Sequence, residues 1–253
     1  MKNYSRVALT TLILSPALLL GACGRFSVAE ITKPGGVIVP SSVDKPTGPR
    51  KESFVCKSST KRVEREGAAE PRNEESSYEG TGVKTISPST TTSADGKSET
   101  RETSGEFKMT TGWKLVDEKK IPIVRTGTRI STSKVETTPQ ANGTTKETVE
   151  YTAKETAAEG TKLMNDKFEE VDSREYSHKD ISVYREAGEV TTGISYQIDD
   201  QPVQEDHSVT TTQTVNGVRT EVSKIKAPYT EKNGDRETTV ESEDSTCTFT
   251  PVK

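Results

Sequence analysis

Residue types that build catalytic and metal sites are rare in this sequence. Its 253 residues include two histidines, His178 and His207, and three cysteines that lie too far apart for a zinc or redox motif. No His-Glu-x-x-His motif, Gly-x-Ser-x-Gly turn or glycine-rich phosphate loop is present. We therefore predict a protein that is not an enzyme and needs no cofactor. The alternative is a hydrolase, which requires a histidine beside a serine or aspartate in a cleft.

Apolar residues are also scarce. Hydrophobic residues make up 29% of the chain and aromatic residues 5%, whereas charged residues account for another 29%. A chain this polar can build only a thin core. Positive and negative residues are interspersed, the formal net charge is −4, and there is no basic stripe. This pattern excludes nucleic acid as an expected partner.

The longest apolar run lies at the N-terminus. Lys2 and Arg6 precede or flank the apolar stretch 7–20, which is shorter than the roughly 20 residues that a membrane-spanning helix needs. This is the layout of a signal peptide. Its end, Leu20-Gly21-Ala22-Cys23, resembles the lipobox of bacterial lipoproteins. The alternative is an ordinary secretory signal that is cleaved after Ala22.

The lipobox resemblance implies a location and a partner. By that resemblance, Cys23 carries a diacylglycerol on its sulfur and an acyl chain such as palmitate on its amine, and two or three acyl chains anchor a protein stably. Gly24, rather than Asp, follows the cysteine, which by the same resemblance favours the outer membrane of a Gram-negative envelope. We expect the membrane as a partner, and another envelope protein or a glycan as a second one.

The chain divides into three segments. Residues 1–22 form the predicted signal peptide, and residues 23–50 carry closely spaced Pro and Gly, as in a lipid-anchored flexible linker. Residues 51–253 consist of short alternating runs, such as Phe107 to Leu115 and Thr144 to Lys154, in which large side chains occupy every second position. We predict one all-β domain, an antiparallel meander of about ten to twelve strands.

Asparagine–glycine and aspartate–glycine pairs predict turns between these strands. Asn216-Gly217 sets Val215 opposite Val218 and Thr211 opposite Val222, which gathers four valines on one face. We expect that face to be buried, because a slip of one residue would turn it to water.

A second pair, Asn233-Gly234, sets Glu231 opposite Arg236. Asp95-Gly96 and Asn142-Gly143 mark two further turns.

The segment 161–171 departs from the β pattern. Met164, Phe168 and Val171 fall at helical spacing, which predicts a short helix. A strand through Phe168 is the alternative.

Two cysteines remain besides Cys23, and an exported protein is expected to pair them. A Cys56–Cys247 disulfide closes a loop of about 190 residues, which contributes about 5 kcal/mol in the chain-entropy model. Cys56 lies in the first alternating run and Cys247 in the last, so the bridge brings the two ends of the meander together. We predict a closed barrel or a sandwich. The alternative is two separate buried thiols.

One acidic stretch is the candidate metal site. Its carboxylates and imidazole could hold a hard cation, since a turn at Pro202 would bring the two clusters together. The alternative is a solvated acidic loop. The residues concerned are Asp199, Asp200, Glu205, Asp206 and His207.

Aromatic residues on or near the strands either form the core, which we favour, or line a cavity inside a barrel. They are Phe54, Phe107, Trp113, Tyr151, Tyr184, Tyr196, Tyr229 and Phe249. The predicted function is therefore a membrane-anchored, non-catalytic binding or structural domain. The alternative is a small-molecule or lipid carrier with an apolar barrel interior.

Overall fold

The computed structural model describes residues 49–67, 70–89, 96–116, 119–165, 169–233 and 236–252. Cys23 and the predicted flexible linker up to residue 48 lie outside these ranges. In the described part of the chain, no helix is long and apolar enough to cross a membrane. The strands, in chain order, are β1 (Arg50–Glu66), β2 (Arg72–Pro88), β3 (Lys97–Val116), β4 (Lys119–Pro139), β5 (Thr145–Ala157), β6 (Leu163–Met164), β7 (Glu170–Val171), β8 (Ser173–Ala187), β9 (Val190–Ile198), β10 (Gln204–Glu205), β11 (Ser208–Val215), β12 (Val218–Ile225), β13 (Tyr229–Asn233) and β14 (Arg236–Pro251).

Ten of these strands close into an antiparallel barrel. The order β1-β2-β3-β4-β5-β8-β9-β11-β12-β14 returns to its start because β14 pairs with β1 from Pro251↔Glu52 to Arg236↔Glu66. β13 pairs with β14 beside β12, β10 pairs with β9, and β6 and β7 form a separate ladder. The all-β prediction is confirmed, and of its two architectures the structure is the barrel.

The predicted disulfide lies in the last seam of the barrel. Cys56 and Cys247 are directly opposed residues of β1 and β14, with Cα atoms 4.1 Å apart. Both are buried, and they pack in a cluster with Tyr78, Phe107 and Phe249. The bridge thus joins the first and last barrel strands, as predicted from their positions in the sequence.

The first predicted hairpin has the predicted register. β11 and β12 pair Val215 with Val218 and Thr211 with Val222, and Asn216 and Gly217 both have positive φ, at 51° and 79°. These are the conformations that a two-residue turn requires.

The turn at Asn142-Gly143 is also present. The Gln140 amide donates to the Thr144 carbonyl oxygen over 2.8 Å, and the Asn142 side chain accepts from the Thr144 amide over 3.1 Å. Asp95, at the other predicted turn, lies outside the described residues.

The register predicted for the second hairpin differs from the observed one by two residues. β13 and β14 pair Glu231 with Thr238 and Asn233 with Arg236, instead of Glu231 with Arg236. A shift of two residues keeps each side chain on its face. The other edge of β14 is held by β1 along most of its length, so pairing with β1 outweighs the local preference of the Asn-Gly turn.

The helix predicted over 161–171 is wrong. Leu163 pairs with Val171 in the β6–β7 ladder, and Phe168 lies outside the described residues. Leu163 is 1% exposed and packs against the cluster around Cys56 and Cys247. The β6–β7 ladder therefore places Leu163 in the core.

The inward face of β11 and β12 is the opposite of the one expected. Thr210 and Glu221 are buried, whereas Val215 is 66% exposed and the other three valines are half-buried. The turn fixes which residues face each other across the hairpin, but it does not fix which face turns inward. The barrel interior here is polar because inward charges find partners on other strands, such as Glu52 for Arg219.

The outer wall carries charges of both signs. Lysines and carboxylates on neighbouring strands form exposed ion pairs, each of which contributes little stability. These pairs are Lys57–Glu79, Lys61–Glu75, Lys154–Glu175, Lys179–Glu150 and Lys224–Asp244.

Candidate functional site in the barrel lumen

The barrel encloses a cavity of about 210 Å³, which we call the lumen. Inward side chains of β1 to β5, β8, β9, β11, β12 and β14 line it, and they mix aromatic rings with charged and hydroxyl groups. The interior is therefore neither filled nor apolar throughout. The predicted carrier alternative required a cavity, which is present, and an apolar interior, which the lumen provides in part.

A cluster of charged side chains lies inside the barrel between β1, β2 and β12, and two of its members, Lys84 and Glu221, line the lumen. Arg219 contacts Glu52 over 3.0 Å and Glu221 over 3.3 Å. Its guanidinium lies 4.4 Å from the centre of the Phe249 ring, and the Lys84 ammonium lies 5.4 Å from the same centre. Burial, and then the positive charge of nearby arginines, lowers the pKa of Lys84. Burial raises the pKa of Glu221 to about 7, although Arg219 and Lys84 oppose this rise.

The raised pKa of Glu221 predicts a dependence of stability on pH. The folded chain binds a proton at Glu221 up to about pH 7, whereas the unfolded chain releases it near the ordinary pKa of 4.5. The contribution of this group to the free energy of unfolding therefore falls as pH rises from about 4.5 to about 7, by on the order of 3 kcal/mol. We expect the wild type to lose this stability relative to Glu221→Gln across that window in urea titrations. A constant difference between the two proteins across the window contradicts the assignment.

A second buried cluster forms around Glu155, which is 1% exposed. Its carboxylate accepts from Arg129 Nε and from Arg174 Nε, each over 2.7 Å, and from the Tyr176 hydroxyl over 3.1 Å. The Arg129 guanidinium also lies 5.5 Å from the centre of the Tyr78 ring. Burial alone would raise the pKa of Glu155, but the two arginines outweigh it and hold that pKa below its ordinary value. This cluster ties β4, β5 and β8 together through the interior.

A third group of side chains on β5 and β8 combines aromatic rings with a carboxylate. The ring of His178 lies 4.7 Å from that of Tyr151 and stacks at 9° on that of Tyr176, 6.3 Å away. Its Nε2 lies 3.2 Å from Asp180 Oδ2. Tyr151, His178 and Asp180 line the lumen, and we call these three residues the acidic–aromatic pocket.

This pocket bears on the hydrolase alternative. His178 has an aspartate beside it in a cavity, as a triad requires, and Ser182 lines the same cavity two residues beyond Asp180. Among the described residues, however, no hydrogen bond joins His178 to a serine. A triad needs that contact between nucleophile and base.

The candidate metal site is not assembled. Among the described residues, no group of three or more histidine, cysteine, aspartate or glutamate side chains converges in a metal-binding arrangement. Asp199 Oδ1 accepts from the Lys179 amide over 2.7 Å, Asp206 is buried and accepts from the Ser208 amide over 2.9 Å, and the His207 ring stacks on Tyr229, 4.1 Å away. Asp200 is exposed in the turn after β9. Glu205, Asp206 and His207 line one end of the lumen instead.

The aromatic residues divide between core and lumen. Phe107 and Tyr184 are buried, Phe249 is both buried and part of the lumen lining, and the side chain of Trp113 lies outside what the structure describes. Those that line the lumen are Phe54, Tyr151, Tyr196, Tyr229 and Phe249. Inward charges such as Glu155 and Asp180 were missed at the sequence level. The available signal was a charged residue on the same alternating face as large apolar ones, as with Glu155 after Tyr151 and Ala153.

No family model and no curated protein matches this chain. Two similar solved structures are mutants of the TodX monoaromatic hydrocarbon channel. The deltaS2 mutant has a TM-score of 0.32 and the deltaS2S3 mutant one of 0.30, each with 6% identity over 82% of this chain and 91% of the other. A likeness of this size supports no inference about fold or function.

Proposed function

We propose that this chain is a lipid-anchored, non-catalytic binding protein of the bacterial envelope, and that its barrel holds a small organic molecule in the lumen. The observation that carries the proposal is the cavity of about 210 Å³ between aromatic and charged side chains. Binding sites for small molecules are concave, with apolar walls and a few placed polar groups. The lumen has this composition.

The size of the cavity limits the ligand. A dry apolar cavity of about 150 Å³ accepts benzene. The volume of about 210 Å³ therefore suits a ligand of on the order of ten non-hydrogen atoms. A long-chain lipid exceeds this volume, so the proposal replaces the lipid carrier with a carrier or receptor of a compact molecule.

The location follows from the anchor rather than from the barrel wall. The charged outer wall favours water around the barrel, whereas the lipobox at Leu20-Gly21-Ala22-Cys23 supplies acyl chains that hold the chain to the membrane. Mass spectrometry of the mature N-terminus tests this part of the proposal. Acylated Cys23 supports it, and an unmodified Cys23 contradicts it.

A substitution that fills the lumen tests the binding function. Ser133 points into the lumen from β4, whereas its neighbour Thr132 is exposed on the outer wall. We expect Ser133→Phe to occupy the cavity and abolish the retention of small molecules when the full chain is purified from its own envelope and analysed by native mass spectrometry. Thr132→Phe makes a comparable change outside and should retain the wild-type adducts.

Overpacking costs about 1–3 kcal/mol, so thermal melting of both variants is measured alongside. Equal retention by the folded Ser133→Phe variant and the wild type contradicts binding in the lumen.

A further inference from the structure

We infer that the lumen selects small protonated amines, and that Asp180 of the acidic–aromatic pocket forms the ion pair with the amine. This inference rests on the proposed function and names the class of ligand for the same cavity. It is carried by the contacts of Asp180, by the rings beside it and by the charges along the lumen.

Asp180 holds a carboxylate oxygen that the protein leaves without a partner. Its Oδ2 lies 3.2 Å from His178 Nε2, but its Oδ1 is buried without a hydrogen-bond partner among the described residues. The side chain keeps 25% of its surface exposed and lines the lumen. No water-sized molecule reaches Oδ1 itself, so a ligand meets the carboxylate at the exposed quarter of the side chain. There its positive charge compensates an anion that is costly to bury and receives no hydrogen bond at Oδ1.

The charge of Asp180 favours a cation over a neutral donor. The imidazole of His178 balances the carboxylate only when it is protonated. By contrast, the carboxylate of Glu155 is held by two arginines, and that of Glu52 by Arg219. At Asp180, an ammonium group therefore meets a histidine rather than a guanidinium.

The rings beside Asp180 suit the body of such a ligand. Tyr151 and His178, 4.7 Å apart between ring centres, present their surfaces to the lumen. An ammonium group is attracted to the face of an aromatic ring, and its carbon substituents bury apolar area against the same surface. An acid beside aromatic rings is thus suited to an amine that carries a compact apolar or aromatic group.

The lumen as a whole carries excess negative charge. Apart from Glu106 and Lys224, which are exposed on the outer side of their strands, six acidic and three basic residues of the described chain line it. Glu205 and His207 lie at the end of the lumen near the loop 199–207, and the Glu205 side chain is 73% exposed. A cavity lined by one excess sign of charge concentrates the opposite ion, so cationic ligands are favoured on approach as well as when bound.

Three isosteric probes test the selectivity on the full chain. Benzylamine, benzyl alcohol and benzoate share a ring and differ in charge, and their affinities are measured by calorimetric titration near pH 7. We expect benzylamine to bind at least about tenfold more tightly than benzyl alcohol, since hydrogen bonds to charged groups add that much, and benzoate to bind more weakly than both. Benzyl alcohol or benzoate binding as tightly as benzylamine overturns the inference, and so does the absence of binding by all three probes.

Two matched variants place the amine at Asp180. Asp180→Asn should weaken benzylamine binding at least about tenfold, to the level of benzyl alcohol. It should not lower the melting temperature of the free protein by much, because the oxygen Oδ1 receives no hydrogen bond that the change would remove. Asp244→Asn makes the same change on the outer wall, where Asp244 lies 3.9 Å from Lys224, and should leave binding unchanged.

Unchanged benzylamine affinity in folded Asp180→Asn overturns the inference. Failure of the proposed function itself is recognised separately, by the retention of small molecules in Ser133→Phe.

Discussion

Removal of the Cys56–Cys247 disulfide is expected to lower the free energy of unfolding by about 5 kcal/mol. The bridge spans 191 residues and joins β1 to β14, the first and last barrel strands. Without it, the unfolded chain gains the entropy of a long open loop, and the closing seam must form between strands that no short connection holds together. A loss of this size is comparable to the total stability of many domains. We expect Cys56→Ala/Cys247→Ala to unfold at a much lower urea concentration than the wild type.

The two single variants serve as the control. Each one already lacks the bridge, so Cys56→Ala, Cys247→Ala and the double variant should have similar stabilities, and the effects of the singles should not add. Ordinary losses of packing would add instead. A double variant within about 1 kcal/mol of the wild type contradicts a stabilising role for the bridge.

Replacement of Glu155 by glutamine is expected to cost about 3–5 kcal/mol. The carboxylate accepts from Arg129, Arg174 and Tyr176 at one buried point, and its removal takes away the anion that both guanidinium groups contact. Because the pKa of Glu155 is lowered in the folded state, this stability is present above the ordinary value of 4.5 and is lost as pH falls below it. Urea unfolding of both proteins at about pH 7 and at about pH 3 to 4 measures the loss of stability and its dependence on pH.

Glu150→Gln is the matched control for that prediction. Glu150 lies on the same strand but points outward, 3.8 Å from Lys179, and both side chains are more than half exposed. We expect its replacement to cost less than about 1 kcal/mol. Equal losses in the two variants would mean that burial of the Glu155 cluster adds no stability.

Alternation, turn chemistry and cysteine positions carried the fold prediction. The Asn216-Gly217 turn specifies its own register locally, and the cysteines at the two ends of the β pattern indicate closure without any knowledge of the strands between them. The register predicted from Asn233-Gly234 was wrong because β1, which is distant in the sequence, aligns β14. The helix predicted over 161–171 was wrong for a similar reason, because Leu163 packs against residues that are distant in the sequence.

The orientation of the strands and the site could not be predicted in the same way. The valine face of β11 and β12 was expected inside because burial of apolar area is the usual driving force. Arg219 instead points inward to Glu52, a partner 167 residues away, and Glu155 contacts Arg129 across 26 residues. Such pairs cannot be predicted until it is known which strands lie opposite each other in the closed barrel. Asp180 lies next to His178 by simple alternation, but the lack of a hydrogen bond at its Oδ1 depends on the surrounding strands.

A crystal structure of the full chain grown with benzylamine tests the central claim most directly, because it shows both the lumen and its occupant. We expect an ordered ligand inside the barrel, with its nitrogen within hydrogen-bonding distance of the Asp180 carboxylate and its ring beside Tyr151. A filled interior with no space for a ligand, or benzylamine bound on the outer wall alone, contradicts the account.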